Sequence, residues 1–251
     1  MAYDNLKLEK GLYTTGKSFT QALEALDPSE NYVGTELEGL DAYQRQLKRF
    51  NIKVSGFDSD CVAKFFTTSD SAALFPEYIS RAVRQGIDSN NTVDKIVATT
   101  TIIDSLDYRS VETVTSTEDK MLAFVGEGAK IPETVIKTKD KLTPLHKRGR
   151  ILVASYEAVK FQKLDLFTVT LKQIGAQIAR SQFFYAFESI NDSNCQKYTL
   201  AGENYTYSDL VDYWCSFNPY KLTTLIGGKT SILQLLNMNE FKDAAAGLKF
   251  H

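Results

Sequence analysis

The longest regular pattern of apolar and polar positions in the chain spans residues 160–190. No proline interrupts it, and it predicts a single helix about 45 Å long. Gly175 in mid-helix costs up to about 1 kcal/mol relative to alanine, so either packing on both sides holds the helix straight or a close neighbour needs the gap. The predicted core face consists of residues at spacings of three, four or seven, namely Leu164, Phe167, Leu171, Ile174, Ile178 and Tyr185.

Three shorter helices are predicted upstream of the long one. Residues 17–26 carry a helical pattern that ends before an Asp-Pro pair, because the residue preceding a proline is pushed out of the α region. Residues 34–50 carry a second pattern, for which Thr35 is the predicted N-cap. The third, FPEYISRAVRQGI, has Pro76 in its first turn and Gly86 at its predicted end.

The middle of the chain changes to a β pattern. Residues 137–150 carry six basic side chains and one acidic one, so this segment is too polar for a core. The long helix directly follows a segment that is rich in predicted strands and whose second part, the return limb, is basic. Such a segment fits a projecting β-hairpin better than a compact layer. Short helices starting at Ser208 and Ser231 complete an α+β pattern. Strands are predicted where β-branched residues are frequent, over residues 95–103, 110–115, 121–125, 133–139, 150–155 and 222–226.

Composition excludes some classes of function. Lys and Arg number 29 against 31 Asp and Glu, and the formal net charge of −2 does not indicate a nucleic-acid or membrane-surface protein. The chain has no apolar run of membrane-spanning length and no secretory pattern at its N-terminus, so synthesis in a cytosol is expected. Up to Asp60 there are seven basic and ten acidic residues. This acidic, helical region is either a self-contained arm that docks on a neighbour or an ordinary part of the same core.

Candidate chemistry is sparse. The fragment IGGKTS at residues 226–231 is similar to a phosphate-binding turn, but the full pattern requires a glycine where Thr223 stands. The alternative is a plain strand-to-helix turn. His146 lies among cations without an acidic partner, and the three cysteines share no CxxC spacing. We therefore expect no catalytic residue, no metal site and no cofactor.

Three segments taken together carry a family resemblance. They are SDSAALFPEYISRAVRQGI, then EGAKIPET, then KRGRILVASYEAVKFQKLDLFTVTLKQIGAQIA. In this order, over residues 69–236, the chain resembles the major capsid proteins of tailed bacteriophages and prophages, which have the Hong Kong 97-type fold. The resemblance implies an α+β fold with an N-terminal arm, an extended β-hairpin loop, a spine helix in a peripheral domain and an α/β axial domain.

The resemblance also implies a division of the chain. The family's axial domain ordinarily continues further than this sequence does, so a shortened or partial axial domain is expected at the end. The expected parts are an N-terminal helical arm or scaffold-like segment (1–68), the start of the peripheral domain (69–106), the extended loop (107–155), the spine helix (156–195) and the axial domain (196–251).

The implied function is structural. Copies of the chain would form pentamers and hexamers of an icosahedral shell that encloses phage DNA without sequence-specific contact, in a virion made in a bacterial cytoplasm. Portal, scaffold or decoration proteins are further implied partners, and no membrane is involved. The expected intersubunit contact lies on the return limb of the loop, at Lys130, Ile131, Pro132, Lys137, Lys139, Lys141, Lys147, Arg148 and Arg150.

Three alternatives remain open. The first is an encapsulin-like compartment shell, which would share the fold but carry enzyme cargo. The second is a nucleotide- or phosphate-binding enzyme that uses residues 227–231. The third is an α+β interaction module that forms no shell.

Overall fold

The protein combines helices with a few short β-strands. A computed structural model describes residues 2–13, 16–105, 107–113, 122, 124–131, 133–140, 142–191, 197–199, 204–218 and 220–242. The chain divides into two compact units, one made of residues 1–98 with 155–251 and the other of residues 99–154.

The described elements include nine α-helices and four strands. The helices are α1 Phe19–Leu26, α2 Ala42–Arg49, α3 Ser69–Ala72, α4 Phe75–Asn90, α5 Tyr156–Phe161, α6 Leu164–Asn191, α7 Tyr207–Cys215, α8 Lys229–Leu236 and α9 Asn239–Lys242. The strands are β1 Asp107–Tyr108, β2 Val111–Thr113, β3 Ile136–Thr138 and β4 Thr143–Pro144. Short 3₁₀ helices occur at Ala2–Asn5, Lys10–Leu12, Ser29–Tyr32, Val62–Phe66 and Val93–Lys95.

The first unit is built on the packing of α4 against α6. At the start of the contact, the Tyr78 hydroxyl lies 2.7 Å from both the Leu164 carbonyl oxygen and the Thr168 hydroxyl. The Phe75 and Tyr78 rings stack on Phe167, with centroids 6.3 and 6.4 Å apart. Burial raises the pKa of Tyr78, because a tyrosinate would be poorly solvated there.

Further along, the two helices meet through glycines. A Cβ built on Gly175 would overlap the Val83 carbonyl oxygen and lie 2.9 Å from the Gly86 Cα. A Cβ on Gly86 would overlap the Lys172 carbonyl and lie 2.8 Å from the Lys172 Cα. Every obstructing atom is backbone, so no side-chain movement could make room. The glycines therefore allow direct backbone contact, and Gly175 fills the role predicted for a gap needed by a close neighbour.

Buried residues on the two helices follow a spacing of four. On α4 they include Tyr78, Ala82 and Gly86. On α6 they include Leu171, Gly175 and Ala179. Rows of this spacing are the ridges that fit into the grooves of a facing helix.

The N-terminal elements share this core. Phe19 and Leu23 of α1 and Tyr43 and Leu47 of α2 belong to the same buried cluster as Leu74 of the α3–α4 turn, and Leu164 of α6 joins it. Of the two interpretations of the acidic N-terminal region, this packing favours an ordinary part of the core. Its role as a scaffold-like segment stays a prediction.

The predicted single helix over residues 160–190 is interrupted at its start. Gln162 has an extended backbone, with φ −74° and ψ 134°, and it separates α5 from α6. The interruption is stabilised by pairing: the Val62 amide donates to the Gln162 carbonyl at 3.0 Å, and the Leu164 amide donates to the Asp60 carbonyl at 2.8 Å. These long-range bonds replace the helical bonds that a continuous helix would make.

Two predicted helix boundaries are wrong. The N-cap of α2 is Asp41, not Thr35, because Gly34 and Gly39 adopt positive φ values of 77° and 81° and turn the chain between them. Helix α4 does not end at Gly86 but continues to Asn90, since this glycine serves the helix crossing and not a C-terminal turn.

The second unit, residues 99–154, contains two small antiparallel sheets. Strand β1 pairs with β4, and β2 pairs with β3 in the register Val111 to Thr138 and Thr113 to Ile136. The strand predicted over 110–115 is confirmed at residues 111–113, and residues 114 and 115 lie outside the described part of the chain. The strand predicted over 133–139 is confirmed at residues 136–138. The pairing has the antiparallel form of a hairpin, with each sheet two-stranded in the part of the chain that is described.

The other predicted strands are not formed where they can be described. Residues 95–103, 150–155 and 222–226 show no strand, although their β-branched residues favour extended backbone. A strand also needs a partner for its hydrogen bonds, and composition does not supply one. The prediction over 121–125 lies partly outside the described residues, and its described positions 122, 124 and 125 are not strand.

We predict that Gly175→Ala destabilises the protein by about 1–3 kcal/mol, although alanine normally favours a helix, because the new methyl group forces the two backbones apart. Denaturant unfolding measures the change. Gly11→Ala is the control, since a Cβ there meets nothing within 4 Å, and it should change stability by less than about 0.5 kcal/mol. A Gly175→Ala variant as stable as the parent would contradict the crossing.

Candidate interaction surfaces

Residues 99–154, which we call the hairpin unit, expose most of the apolar side chains that the structure describes. None of the unit's described residues is buried. Exposed fractions reach 94% for Ile102, 109% for Phe124 and 91% for Ile151. A two-stranded hairpin is at best marginally stable in water, and apolar side chains in this number normally mark a surface that another molecule covers.

The predicted intersubunit residues lie on this unit where they can be described. Lys137 belongs to β3 and Lys139 follows it, with the Lys139 amide donating to the Ser110 carbonyl at 2.8 Å. Lys130 forms an exposed ion pair with Glu133 at 3.2 Å, a contact of little energetic weight. The remaining described ones, Ile131, Lys147, Arg148 and Arg150, are exposed. Pro132 and Lys141 lie outside the described residues.

The far end of α6, residues 180–191, is a second exposed apolar surface, which we call the distal helix. Phe184 is 62% exposed, and Phe187 and Ile190 are also exposed. Phe183 and Phe184 contact each other edge to face, with centroids 6.1 Å apart. Arg180 and Glu188 are the charged residues of this segment, so most of its exposed surface is apolar or uncharged.

The core face predicted for the long helix holds over its first half. Leu164 and Leu171 are fully buried, and Phe167 and Ile174 pack half-buried against the core cluster. Ile178 and Tyr185, predicted on the same face, are 38% and 44% exposed. The reason is the length of α4: it ends at Asn90, so the buried row on α6 ends at Ala179.

The C-terminal segment, residues 197–242, has no buried residue among those described. Its aromatic side chains contact one another: Tyr213 lies between Tyr198 and Phe217, with centroids 5.6 and 4.9 Å away. Tyr207 contacts Phe241 edge to face at 6.0 Å. Small aromatic clusters of this kind leave much of each ring in contact with water.

The IGGKTS turn lies in this segment. Gly228 is the N-cap of α8 and Lys229 is its first residue, both exposed, and the cap has no side-chain hydrogen bond. A Cβ built on Gly227 would lie 3.0 Å from the Ile232 side chain. The geometry is that of an exposed loop-to-helix turn. Residues 222–226, predicted as the preceding strand, are not strand, so the context of a phosphate-binding loop is incomplete.

A buried charge organises the turns before α2 in the first unit. The Arg45 side chain is fully buried, and its Nε donates to Asp27 Oδ2 at 2.9 Å. Its Nη1 donates to the Ser29 hydroxyl at 2.9 Å and to the Leu40 carbonyl at 2.6 Å. The guanidinium also lies 4.3 Å from the centre of the Tyr32 ring. One side chain thus joins the end of α1 to the turns before α2.

Sequence reasoning missed the Arg45 network and the distal helix. A sequence pattern places an arginine of an amphipathic helix on the solvent-facing side unless a buried partner is known. The partner here, Asp27, is 18 residues away, so the local pattern does not reveal it. The aromatic run FFYAF was available as a signal. Periodicity alone does not show it as a separate surface, because a helical pattern does not reveal where the helix leaves the core.

Other kinds of site are not indicated. Within the described ranges, no group of three or more His, Cys, Asp or Glu could hold a metal ion. No described helix is both long enough and apolar enough to cross a membrane. Searches of family models, of curated proteins and of solved structures found no match to this chain.

We predict that Arg45→Met lowers the free energy of unfolding by about 3–5 kcal/mol, because it leaves the buried Asp27 carboxylate without its cation and with only the Tyr32 hydroxyl among its described side-chain partners. Adding Asp27→Leu should recover part of the loss. Lys64→Met is the control, since Lys64 pairs with Asp60 at 3.7 Å and both side chains are partly exposed, and it should cost less than about 1 kcal/mol. Equal losses for the two variants in denaturant unfolding would contradict a special role for Arg45.

Proposed function

We propose that this chain is the major capsid protein of a tailed bacteriophage or prophage, with the Hong Kong 97-type fold. Copies assemble into an icosahedral shell that encloses DNA. The observation that carries the proposal is the hairpin unit, whose described residues include many apolar side chains and not one that is buried. A segment of this kind becomes stable when a neighbour covers it.

The architecture of the first unit supports the same proposal. Helix α6, of 28 residues, is about 42 Å long, and its first half is packed on the core while the distal helix is exposed. The hairpin unit immediately precedes α5 and α6 in the chain, in the order that the resemblance implies for the extended loop and spine helix. The C-terminal segment would then be the axial domain, or part of it.

The proposed function needs no catalytic residue. The shell is held by contacts between copies, and the hairpin unit, the distal helix and the C-terminal segment are the surfaces that such contacts would cover. The overall charge of −2 suits a shell that confines DNA, since tight binding to the phosphate backbone requires a large excess of cations. Portal, scaffold and decoration proteins are further proposed partners.

We predict that the purified chain forms shells, or rings of five or six subunits, as its concentration rises. Negative-stain electron microscopy and light scattering at low and high salt measure this. A strict monomer at all concentrations and salt levels would count against the proposal. Nucleotide binding that Lys229→Ala abolishes would favour the alternative enzyme.

An encapsulin-like compartment predicts the same particles, so its test lies elsewhere. Neighbouring genes for a portal, a protease and a terminase would favour the phage head. A neighbouring gene for an enzyme, together with that enzyme inside the particles, would favour the compartment.

We predict that Phe184→Ser with Phe187→Ser raises the concentration needed for assembly about tenfold or more, because it removes apolar area from a surface covered in the shell. The unfolding midpoint of the monomer should hardly change, since both side chains are exposed. Gln173→Ser is the control, because Gln173 is an exposed position on the first half of α6, which packs on the core. If the double variant assembles like the parent, the distal helix is not a contact surface.

A further inference from the structure

One surface of the first unit carries acidic side chains without any cation beside them in the sequence. Between Ser18 and Gln44 the chain has six carboxylates and no Lys, Arg or His. Three of the six, Glu30, Glu36 and Glu38, are exposed and lie within residues 29–41, which we call the acidic lobe. None of these three forms an ion pair with a described residue.

The acidic lobe is held in one conformation from inside. Buried Arg45 binds the lobe at both ends, through Ser29 and Leu40, and its charge is matched by buried Asp27. Within the lobe the Thr35 hydroxyl donates to the Tyr32 carbonyl at 2.7 Å, and Tyr32 is itself buried. Because the surface is ordered in advance, little conformational entropy is lost when a partner binds it.

The lobe also has an apolar part. Val33 is 71% exposed, and Leu26, just before the lobe at the end of α1, is 53% exposed. A partner suited to this surface would therefore combine positive charge with apolar side chains.

The basic limb, residues 137–150, has this combination. It carries six basic side chains and one acidic one, and its described residues are exposed. On β3, Lys137 follows Ile136, the residue just before the limb, so the lysine and the isoleucine point to opposite faces. Leu145 is a further exposed apolar residue of the limb.

We propose that the basic limb of one copy docks on the acidic lobe of a second copy of this chain. This inference rests on the proposed function and names the two surfaces that meet in one of its contacts. Each copy carries both surfaces, so each gives a limb to one neighbour and receives a limb from another. Such a head-to-tail contact closes into rings when its rotation permits, as pentamers and hexamers require.

Charge reversal on each side tests the contact. The lobe variant carries Glu30→Lys and Glu36→Lys, and it leaves Glu38 in place because Glu38 accepts a hydrogen bond from the Gly34 amide at 2.7 Å. The limb variant carries Lys137→Glu and Lys139→Glu. Either variant alone should need about tenfold more protein to assemble than the parent, because like charges then face each other. Light scattering measures the concentration.

Mixing the two variants gives the sharpest outcome. In an equal mixture, the glutamates placed at 137 and 139 can meet the lysines placed at 30 and 36 on the other variant, and the unchanged limb can meet the unchanged lobe. Assembly should therefore return towards the parent's concentration, with even-numbered rings favoured. A limb that contacted the lobe of its own chain would give no such rescue. Asp58→Lys with Asp88→Lys, at exposed positions outside the lobe, makes the same change in net charge and should leave assembly near the parent's level.

The outcomes separate this inference from the proposed function. A parent protein that never assembles overturns both. A parent that assembles, with a lobe variant that assembles equally well or a mixture that shows no rescue, overturns the docking contact alone. Thermal unfolding of each variant, expected to match the parent, ensures that lost assembly does not reflect lost folding.

Discussion

The close crossing of α4 and α6 at Gly86 and Gly175 is the constraint on which the rest of the structure depends. Both positions exclude a Cβ because backbone atoms, which cannot move aside, occupy its place. Around this contact the aromatic stack at Phe167 and the buried N-terminal helices form one cluster. Helix α4 ends at Asn90, and the buried row on α6 ends at Ala179 among the described residues. The length of the shorter helix thus decides how much of the longer one remains exposed.

The buried Arg45 contributes to the structure in a different way from the apolar core: it fixes the geometry of turns and adds little net stability. A buried ion pair adds little net stability, because the loss of hydration offsets the attraction of the charges. What the pair with Asp27 achieves is geometric: the guanidinium satisfies a carboxylate, a hydroxyl and two backbone carbonyls at once, so the turns before α2 have one arrangement. An apolar residue could fill the same volume but could not fix those turns.

The sequence predicted the mixed α and β character, the helices α1, α4, α7 and α8 to within a few residues, and the centre of the hairpin. It failed where tertiary contacts override local preference. At Gln162 the chain leaves the helix because the Asp60–Val62 backbone offers other hydrogen bonds. On α6 a count of large apolar residues favoured Ile174 and Ile178, whereas close approach selected the small residues Gly175 and Ala179. The interaction surfaces were predictable as charge and apolar runs, but which of them stay exposed depends on where a neighbouring helix ends.

The net charge of −2 includes two strongly charged regions of opposite sign, and their separation along the chain could determine the orientation in which copies meet. Apolar contacts, such as those available on the distal helix, are strong but non-directional, and alone they permit many mutual orientations. Opposite charges at two separate places penalise orientations in which like charges meet, and so select one register. The basic limb and the stretch from Ser18 to Gln44 nearly cancel in the total. Copies of a near-neutral chain would repel each other little at long range. In the assembly proposed above, the two charged regions would favour one arrangement within the Debye length of roughly 8–10 Å in physiological salt.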